Sequence, residues 1–539
     1  MRVKNESFRE DCGMEGKRSA KAEGVRFTDL RMEGEALEEW IRENSVNMQN
    51  GACERPGIVV SPWFRLRIGG EEIPCHAAKT ARDPHSFAWV EVDAGEGEDF
   101  ALEAEIITDR ERVFNTVLPE SAGVEAESDG RVVRARLTSC GSFTFTFDRV
   151  GERDGSFRPL TVMVKRRERE VCPSGMREIV LEPGEYPRDR LTFDRPGTFV
   201  RFRPGTYAFE TVRIAAVDVT LYFEPGVLLS ARSFSPGTNP EHAFVCYGRK
   251  NIRVLGRAAL DMSLRDPARA VFDFVGCRDL EFSGFTVVNS NSWTCCFTGC
   301  RNLAVRDLLL IGYRTFSDGV MLSDCENARV SGCFVRTGDD ALEVKSTSDG
   351  RVRTNGVLFE DNAVWTDKGV AYGCIYESNF SQHGVTWRRN SVGYALADWS
   401  EHLGCASVSI RGDDPAVEDC DMVFEDLEIY SARCSLATVV MHKGGCVRDL
   451  VFRRIRAKEA RLNPAVAPGY IVVNVKNEDN KPSSAFRIGR LTFGEISWNG
   501  HELTAESAER DIVFDVPEGF PADRSVILAE DPGTNPARA

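Results

Sequence analysis

A cysteine-marked repeat in the middle of the chain constrains its fold more than any other feature. GCRDLEFSGFTVVNS begins at Gly276, GCRNLAVRDLLLIG at Gly299 and DCENARVSGCFVRTG at Asp324. Cys277, Cys300 and Cys325 are spaced by 300 − 277 = 23 and 325 − 300 = 25 residues. A looser series follows in GVLFEDNAVW (356–365), GVTWRRNSVG (384–393), MVFEDLEIYS (422–431) and LVFRRIRAKE (450–459). Each unit reads as strand, polar turn, strand, and a unit of this size cannot bury its apolar face alone. Stacked coils of a parallel β-solenoid can. Leucine-rich repeats are disfavoured, because their Leu-x-x-Leu-x-Leu and helical half are missing. At ~25 residues per coil, the stretch from Pro173 to about Gly500 holds roughly thirteen coils. At ~4.8 Å per coil the rod would be about 60 Å long. The cysteines of the repeat read as small buried core residues.

The front of the chain follows another pattern. Residues 1–24 are polar and are predicted to fray. Between 25 and 170 come short alternating segments such as GIVVSPWFRLRIGG (57–70), SFAWVEVDAG (86–95), RVVRARLT (131–138) and GSFTFTFDRV (141–150). Gly, Pro and Asp turns separate them, which predicts a β-sandwich. One helix is predicted over Ala36 to Asn44. The predicted class is all-β, with a sandwich over 25–170, a parallel β-helix over 171–510 and a tail over 511–539.

Charge narrows the partners. The chain carries 68 Lys+Arg against 83 Asp+Glu, a net charge of −15. That balance opposes nucleic acid and polyanions and leaves neutral molecules such as sugars. No run of 18 apolar residues is present, so no membrane-spanning helix is predicted. The segment MRVKNESFREDCGMEGKRSAKAEG has no apolar stretch of the kind a secretory signal needs, so a cytoplasmic protein is expected. Seventeen cysteines, many in apolar runs, are then expected as reduced thiols. Homo-oligomerisation is left open.

Two acidic segments carry the candidate chemistry, SDGVMLSDC (317–325) and TGDDALEVKS (337–346). Aligning inward residues Val320 with Leu342 and Leu322 with Val344 gives an offset of 342 − 320 = 22. The same offset takes Asp318 to Asp340, one coil above, at about 5 Å between backbones. Asp339 is next to them on the entering turn. Three carboxylates so close repel, and one of them should hold its proton. A protonated acid beside an ionised carboxylate is what glycosidic hydrolysis requires. On that reading Asp318 and Asp340 hold the water and Asp339 is the acid. Turn capping and calcium binding are alternative uses of such a cluster. A second Gly-Asp-Asp at 412–414 reads as a turn. Around the cluster, Trp293, Tyr313, Tyr372 and Trp399 are candidate platforms for sugar faces. Trp365 and Trp387, within repeat strands, read as core. Arg314, Lys345, His383 and His402 are candidate hydroxyl contacts, and Glu377 is a reserve acid. The reading calls for no metal and no cofactor.

GDDALEVKS with its upstream SDG resembles the Asn-Thr-Asp-Gly and Gly-Asp-Asp-x-Ile-x-Ile-Lys-Ser pattern of glycoside hydrolase family 28, the polygalacturonases. LYFEPGVLLSARS (221–233) and NSWTCCFTGCRNL (291–303) resemble further segments of that family. The sandwich ahead of the repeat is similar to glycoside hydrolase family 49, the dextranases and isopullulanases. The resemblance implies a right-handed parallel β-helix and inverting hydrolysis, with Asp339 as acid and Asp318 and Asp340 as the base pair. The family's Gly-His-Gly is absent, the matching stretch reading DKGVAYGCIYES (367–378), and its Arg-Ile-Lys grip on a uronate is not evident. A neutral glycan is therefore expected. Rival readings on the same architecture are a polysaccharide lyase or epimerase, an intramolecular fructosyl transferase, and a non-catalytic glycan-binding solenoid.

Overall fold

The computed structural model describes residues 18–42, 57–81, 83–148, 158–187, 190–232, 242–265, 270–290, 292–347, 352–397, 404–410, 416–442, 444–463, 467–475, 486–516 and 527–529. Apolar residues alternate along the repeat, and the chain answers with short strands that climb a right-handed parallel β-helix of three faces. One coil runs Arg278–Ser283 on the first face, Thr286–Ser290 on the second and Cys295–Thr298 on the third. The next runs Arg301–Arg306, Leu309–Gly312 and Val320–Ser323. The third face is a 12-stranded sheet with one strand per coil, against roughly thirteen coils expected from length.

The repeat motif has a physical reading. Cys277, Cys300 and Cys325 are buried, and their thiols point to carbonyls of the coil before: Cys246 at 3.2 Å, Phe274 at 3.3 Å and Phe297 at 3.3 Å. Two residues on, Asp279, Asn302 and Asn327 occupy left-handed backbone with φ of 57°, 55° and 54°. Asn and Asp adopt that conformation more readily than other side chains. Further along, Phe359, Trp387, Phe424, Phe452 and Phe493 stack inside the first face with centroid spacings of 5.4, 4.4, 4.8 and 5.2 Å. Each such contact adds ~0.5–1.5 kcal/mol beyond area burial.

The front domain is a sandwich of a six-stranded and a seven-stranded sheet around Trp40, Trp63, Phe64, Phe145 and their neighbours. Its helix covers Gly34–Arg42, starting two residues earlier than predicted. Residues 18–24, predicted to fray, form edge strands instead. Arg18–Ser19 pairs with the strand Phe100–Thr108, and Ala22–Gly24 with His85–Val92, because those sheets leave backbone groups open there. At the other end the solenoid continues past 510, with Ile512–Asp515 extending the third face and Ile527–Ala529 pairing with Leu491–Trp498.

The sandwich packs on the second face. Phe87, Trp89, Leu118 and Met163 join Val288, Leu309, Ile311, Phe334 and Trp365 in one apolar cluster. Trp365 and Trp387 are thus packing residues, as read from their strands. Polar contacts fix the angle of the join: Trp89 Nε1 donates to Thr286 Oγ1 at 2.7 Å, and Gly57 N to Asp261 Oδ2 at 2.9 Å. Arg336 is fully buried there. It donates to Asp367 through Nε (3.1 Å) and Nη2 (3.0 Å), and through Nη1 to His85 Nδ1 at 3.1 Å. Burial, then the Arg336 charge, holds His85 well below the usual imidazole range. It is therefore neutral, with Nε2–H donating to Thr161 at 2.8 Å.

Candidate active site

Register builds the site. Val320 pairs with Leu342 and Leu322 with Val344, the alignment inferred from sequence. The ladder continues into the turns, where Thr294 N donates to Asp318 O at 2.9 Å and Gly319 N to Asp340 O at 2.9 Å. Trp293, Asp318 and Asp340 consequently follow one another up three coils. The close approach depends on missing side chains. A Cβ at Gly319 would lie 2.4 Å from Ala341 O, and one at Gly369 would lie 2.2 Å from Asp339 C and 2.4 Å from Asp340 N.

Asp318, Asp339 and Asp340 are brought together and nearly covered. Asp339 keeps 6% of its surface exposed. Its Oδ2 accepts from Phe316 N at 2.8 Å and its Oδ1 from Asp340 N at 3.1 Å. Asp340 Oδ1 accepts from Val370 N at 2.8 Å. Burial, then the charges of Asp318 and Asp340, push Asp339 well above the ordinary carboxyl range. Burial outweighs Lys345 and raises Asp340 to about 6, and it raises Asp318 as well. Lys345, itself buried, is the shared counter-charge: Nζ lies 3.5 Å from Asp318 Oδ2, 3.3 Å from Glu343 Oε2 and 3.4 Å from Glu377 Oε2. Burial pulls its ammonium down, but Glu343, Asp318 and Glu377 outweigh that and hold it raised. A neutral acid beside ionised carboxylates is the division of labour that acid–base chemistry uses.

Two residues that the spacing did not single out belong to the site. Glu343 is buried beneath the aspartates on the outward side of the same strand as Lys345, so strict alternation along Leu342–Ser346 could have found it. Its oxygen comes within 4.8 Å of oxygens from Asp318 and Asp340, the one such acidic trio among the described residues close enough to share a cation. Lys345 Nζ already stands against it. Phe316 is 60% exposed and holds φ of 67°, with its amide on the acid. No sequence signal marks it. Trp293, 41% exposed one coil before Asp318, remains a candidate platform. Glu377, half exposed, reaches Lys345 Nζ from the coil after.

Other expected contacts fall elsewhere. Tyr372 pairs with Leu342 in the inward column, is fully buried, and donates to Ser391 O at 2.8 Å; it is core, not platform. Tyr313 is also buried, its Oη accepting from Arg314 Nε at 2.6 Å under the guanidinium, so neither presents a free face to a sugar. His383 is the second residue of the first-face strand Gln382–Arg388, paired with Cys420, off the third face that carries the acids. Trp399, His402 and the second Gly-Asp-Asp lie outside the described residues.

A groove of about 780 Å³ runs along the turns that leave the third face in the preceding coils. Arg249, Lys250, Arg278 and Arg301 line it, with no carboxylate among the lining residues. Lys250, Arg278 and Arg301 stack in register, one per coil.

Comparison with known proteins falls on the same segment. The profile described as Glycosyl hydrolases family 28 matches residues 244–383, which contain all three aspartates. A "Probable polygalacturonase" of Vitis vinifera is 27% identical over 97 residues, 18% of this chain and 16% of that protein. "Polygalacturonase QRT2" of Arabidopsis thaliana is 27% identical over 108 residues, 20% of this chain and 23% of that protein. The matched stretches thus span under a quarter of these relatives. Among solved structures, Dex49A from Penicillium minioluteum superposes with a TM-score of 0.54 at 12% identity, covering 90% of this chain and 95% of that one. That likeness extends the shared fold to the sandwich as well as the solenoid.

Proposed function

We propose that this chain is a glycoside hydrolase acting by single displacement. Asp339 protonates the glycosidic oxygen, and Asp318 with Asp340 holds and deprotonates a water on the opposite side of the sugar. Inversion of this kind needs acid and base ~6.5–9.5 Å apart, with room for that water. The observation that carries the reading is the stack itself: three nearly covered aspartates on two adjacent coils, with one lysine for counter-charge. Such an arrangement costs stability and splits the proton affinities of its members, as catalysis requires. The family match over 244–383 supports the same chemistry.

The substrate we propose is an uncharged oligosaccharide. The cation at the acids, Lys345, is already shared among three carboxylates and leaves no grip for a uronate. The basic groove favours a second reading, in which an acidic glycan lies along Lys250, Arg278 and Arg301 before entering the site. A panel of neutral and uronic oligosaccharides incubated with the wild type and with Asp339→Asn tests both. We expect cleavage of neutral members, with anomeric inversion by NMR, and loss of ~10²–10⁴-fold in the variant. Turnover unchanged by Asp339→Asn overturns the acid assignment, and cleavage confined to uronic members selects the second reading.

A further inference from the structure

Three aspartates suffice for the proposed displacement, and Glu343 is left over. It is the most deeply buried carboxyl of the cluster. In its outward column Met321 lies below and Gly373 above, and neither offers a side-chain donor. The charged groups facing it are Asp318 from the coil before, and Asp340 and Lys345 from its own coil. Lys345 is in turn shared with Glu377 from the coil after. The Cys296 thiol is two coils down the same column.

With Asp318 and Glu343 both ionised, three buried oxygens lack a hydrogen bond: Asp318 Oδ1 and both oxygens of Glu343. Buried polar atoms in folded proteins are almost always paired, and two carboxylates cannot pair with each other. One proton between them pairs Asp318 Oδ1 with one Glu343 oxygen, and Lys345 Nζ, 3.3 Å from Glu343 Oε2, stands against the other. A cation in its place would crowd Lys345 Nζ, 3.3 Å from Glu343 and 3.5 Å from Asp318.

We propose that Glu343 carries a proton and donates it in a hydrogen bond to Asp318 Oδ1, making Glu343 a positioning residue that keeps Asp318 ionised and fixed in orientation. The electrostatics run the same way. Burial, which the Lys345 charge does not offset, raises Glu343 well above the carboxylate range, and the contact with Glu343 acts to lower Asp318. The arrangement gives the site two neutral acids, Asp339 and Glu343, beside its base. Its kinetic consequence rests on the hydrolase reading; the protonation does not.

The test uses Glu343→Gln, which keeps an N–H donor, and Glu343→Met, which has none. The wild-type minus Glu343→Gln infrared spectrum near neutral pH should show the C=O band of a protonated carboxyl, whether or not any glycan is cleaved. On a cleaved oligosaccharide, Glu343→Gln should hold kcat within about threefold and leave the acid limb of the pH profile in place. Glu343→Met should lose ~10–100-fold in kcat at similar KM, with the acid limb moved up by about one unit, because Asp318 has lost the donor that favours its ionised form. A merely structural glutamate would change amplitude without moving that limb. Absence of the carboxyl band, equal losses in the two variants, or a melting temperature raised by added calcium in the wild type but not in Glu343→Gln overturns the proposal. The band without turnover of any glycan leaves Glu343 protonated and removes the hydrolase reading instead.

Discussion

On the first face, Glu360 is buried against Arg388 at 2.8 Å and Arg389 at 2.6 Å, with Arg329 on its other oxygen. On the third face, at the strand Leu342–Ser346 that precedes Glu360 in the chain and at the strand one coil before that, Asp318, Asp340 and Glu343 are buried against one another with Lys345 as their shared counter-charge. Both clusters use the same device, charged side chains from successive coils brought together at the strand spacing. Glu360 would be raised by burial, but Arg388, Arg389 and Arg329 outweigh it and hold it below the ordinary range. The third-face acids go the other way. Stacking is indifferent to sign. A ladder of alternating charge locks a solenoid, and a ladder of like charge stores unused proton affinity.

Removing Lys345 should have the largest effect. Lys345→Met leaves ionised Asp318 without its ammonium, and truncating one partner of a buried ion pair costs about 3–5 kcal/mol. Urea unfolding of wild type and variant measures the loss. A cost under about 1 kcal/mol would mean that the carboxyls simply take up protons, and the contrast with Glu360 would collapse. Next comes Gly369→Ala, whose new Cβ would press on the Asp339–Asp340 peptide at 2.2–2.5 Å. We expect a kcat loss of about 10²-fold, as for a displacement near 1 Å, with a stability cost of ~1–3 kcal/mol. Kinetics beside thermal melting separates the two effects.

The pH dependence sharpens the comparison. Asp419, buried with Cys374 and Ser378 on one oxygen, is raised by burial to about 7, and Asp340 to about 6. Between the ordinary value of 3.8 and about 7 the unfolded chain has released the Asp419 proton while the folded chain keeps it. Stability should therefore fall as pH rises through that window, at ~1.4 kcal/mol per unit for each such group. Glu360 has the opposite sign, and its contribution is lost as pH falls below its ordinary 4.5. Denaturation midpoints across this range should peak at mildly acidic pH, and Asp419→Asn should flatten the neutral side. The smallest effect belongs to Arg389→Ala, which should cost no more than ~1 kcal/mol in urea unfolding because the side chain is half exposed and Glu360 keeps two other arginines.

How far the sequence could be read follows from the period of the repeat. Inward residues Val320, Leu322, Leu342 and Val344 announce themselves by hydrophobicity, and their offset carried Asp318 onto Asp340. Tyr372 misled because an aromatic near the acids suggests sugar stacking, although adding the 30-residue step from Leu342 would have put it in the core. Glu343 was legible by alternation and hidden by habit, since a charge in a strand usually reads as solvent-facing. Phe316 was not legible. Its exposure comes from a left-handed turn at a bulky residue, a conformation that local preference disfavours and tertiary context imposes.

Arg336 lies on the strand that ends at Thr337, two residues before Asp339, and its third hydrogen bond goes to a residue of the other domain. The sandwich is therefore a buttress behind the acids. A solenoid stripped of it would turn a broad greasy wall to water and leave a guanidinium short of a partner. Domain shuffling at this boundary would damage the chemistry it was meant to transplant, so any minimal catalytic fragment has to keep both halves.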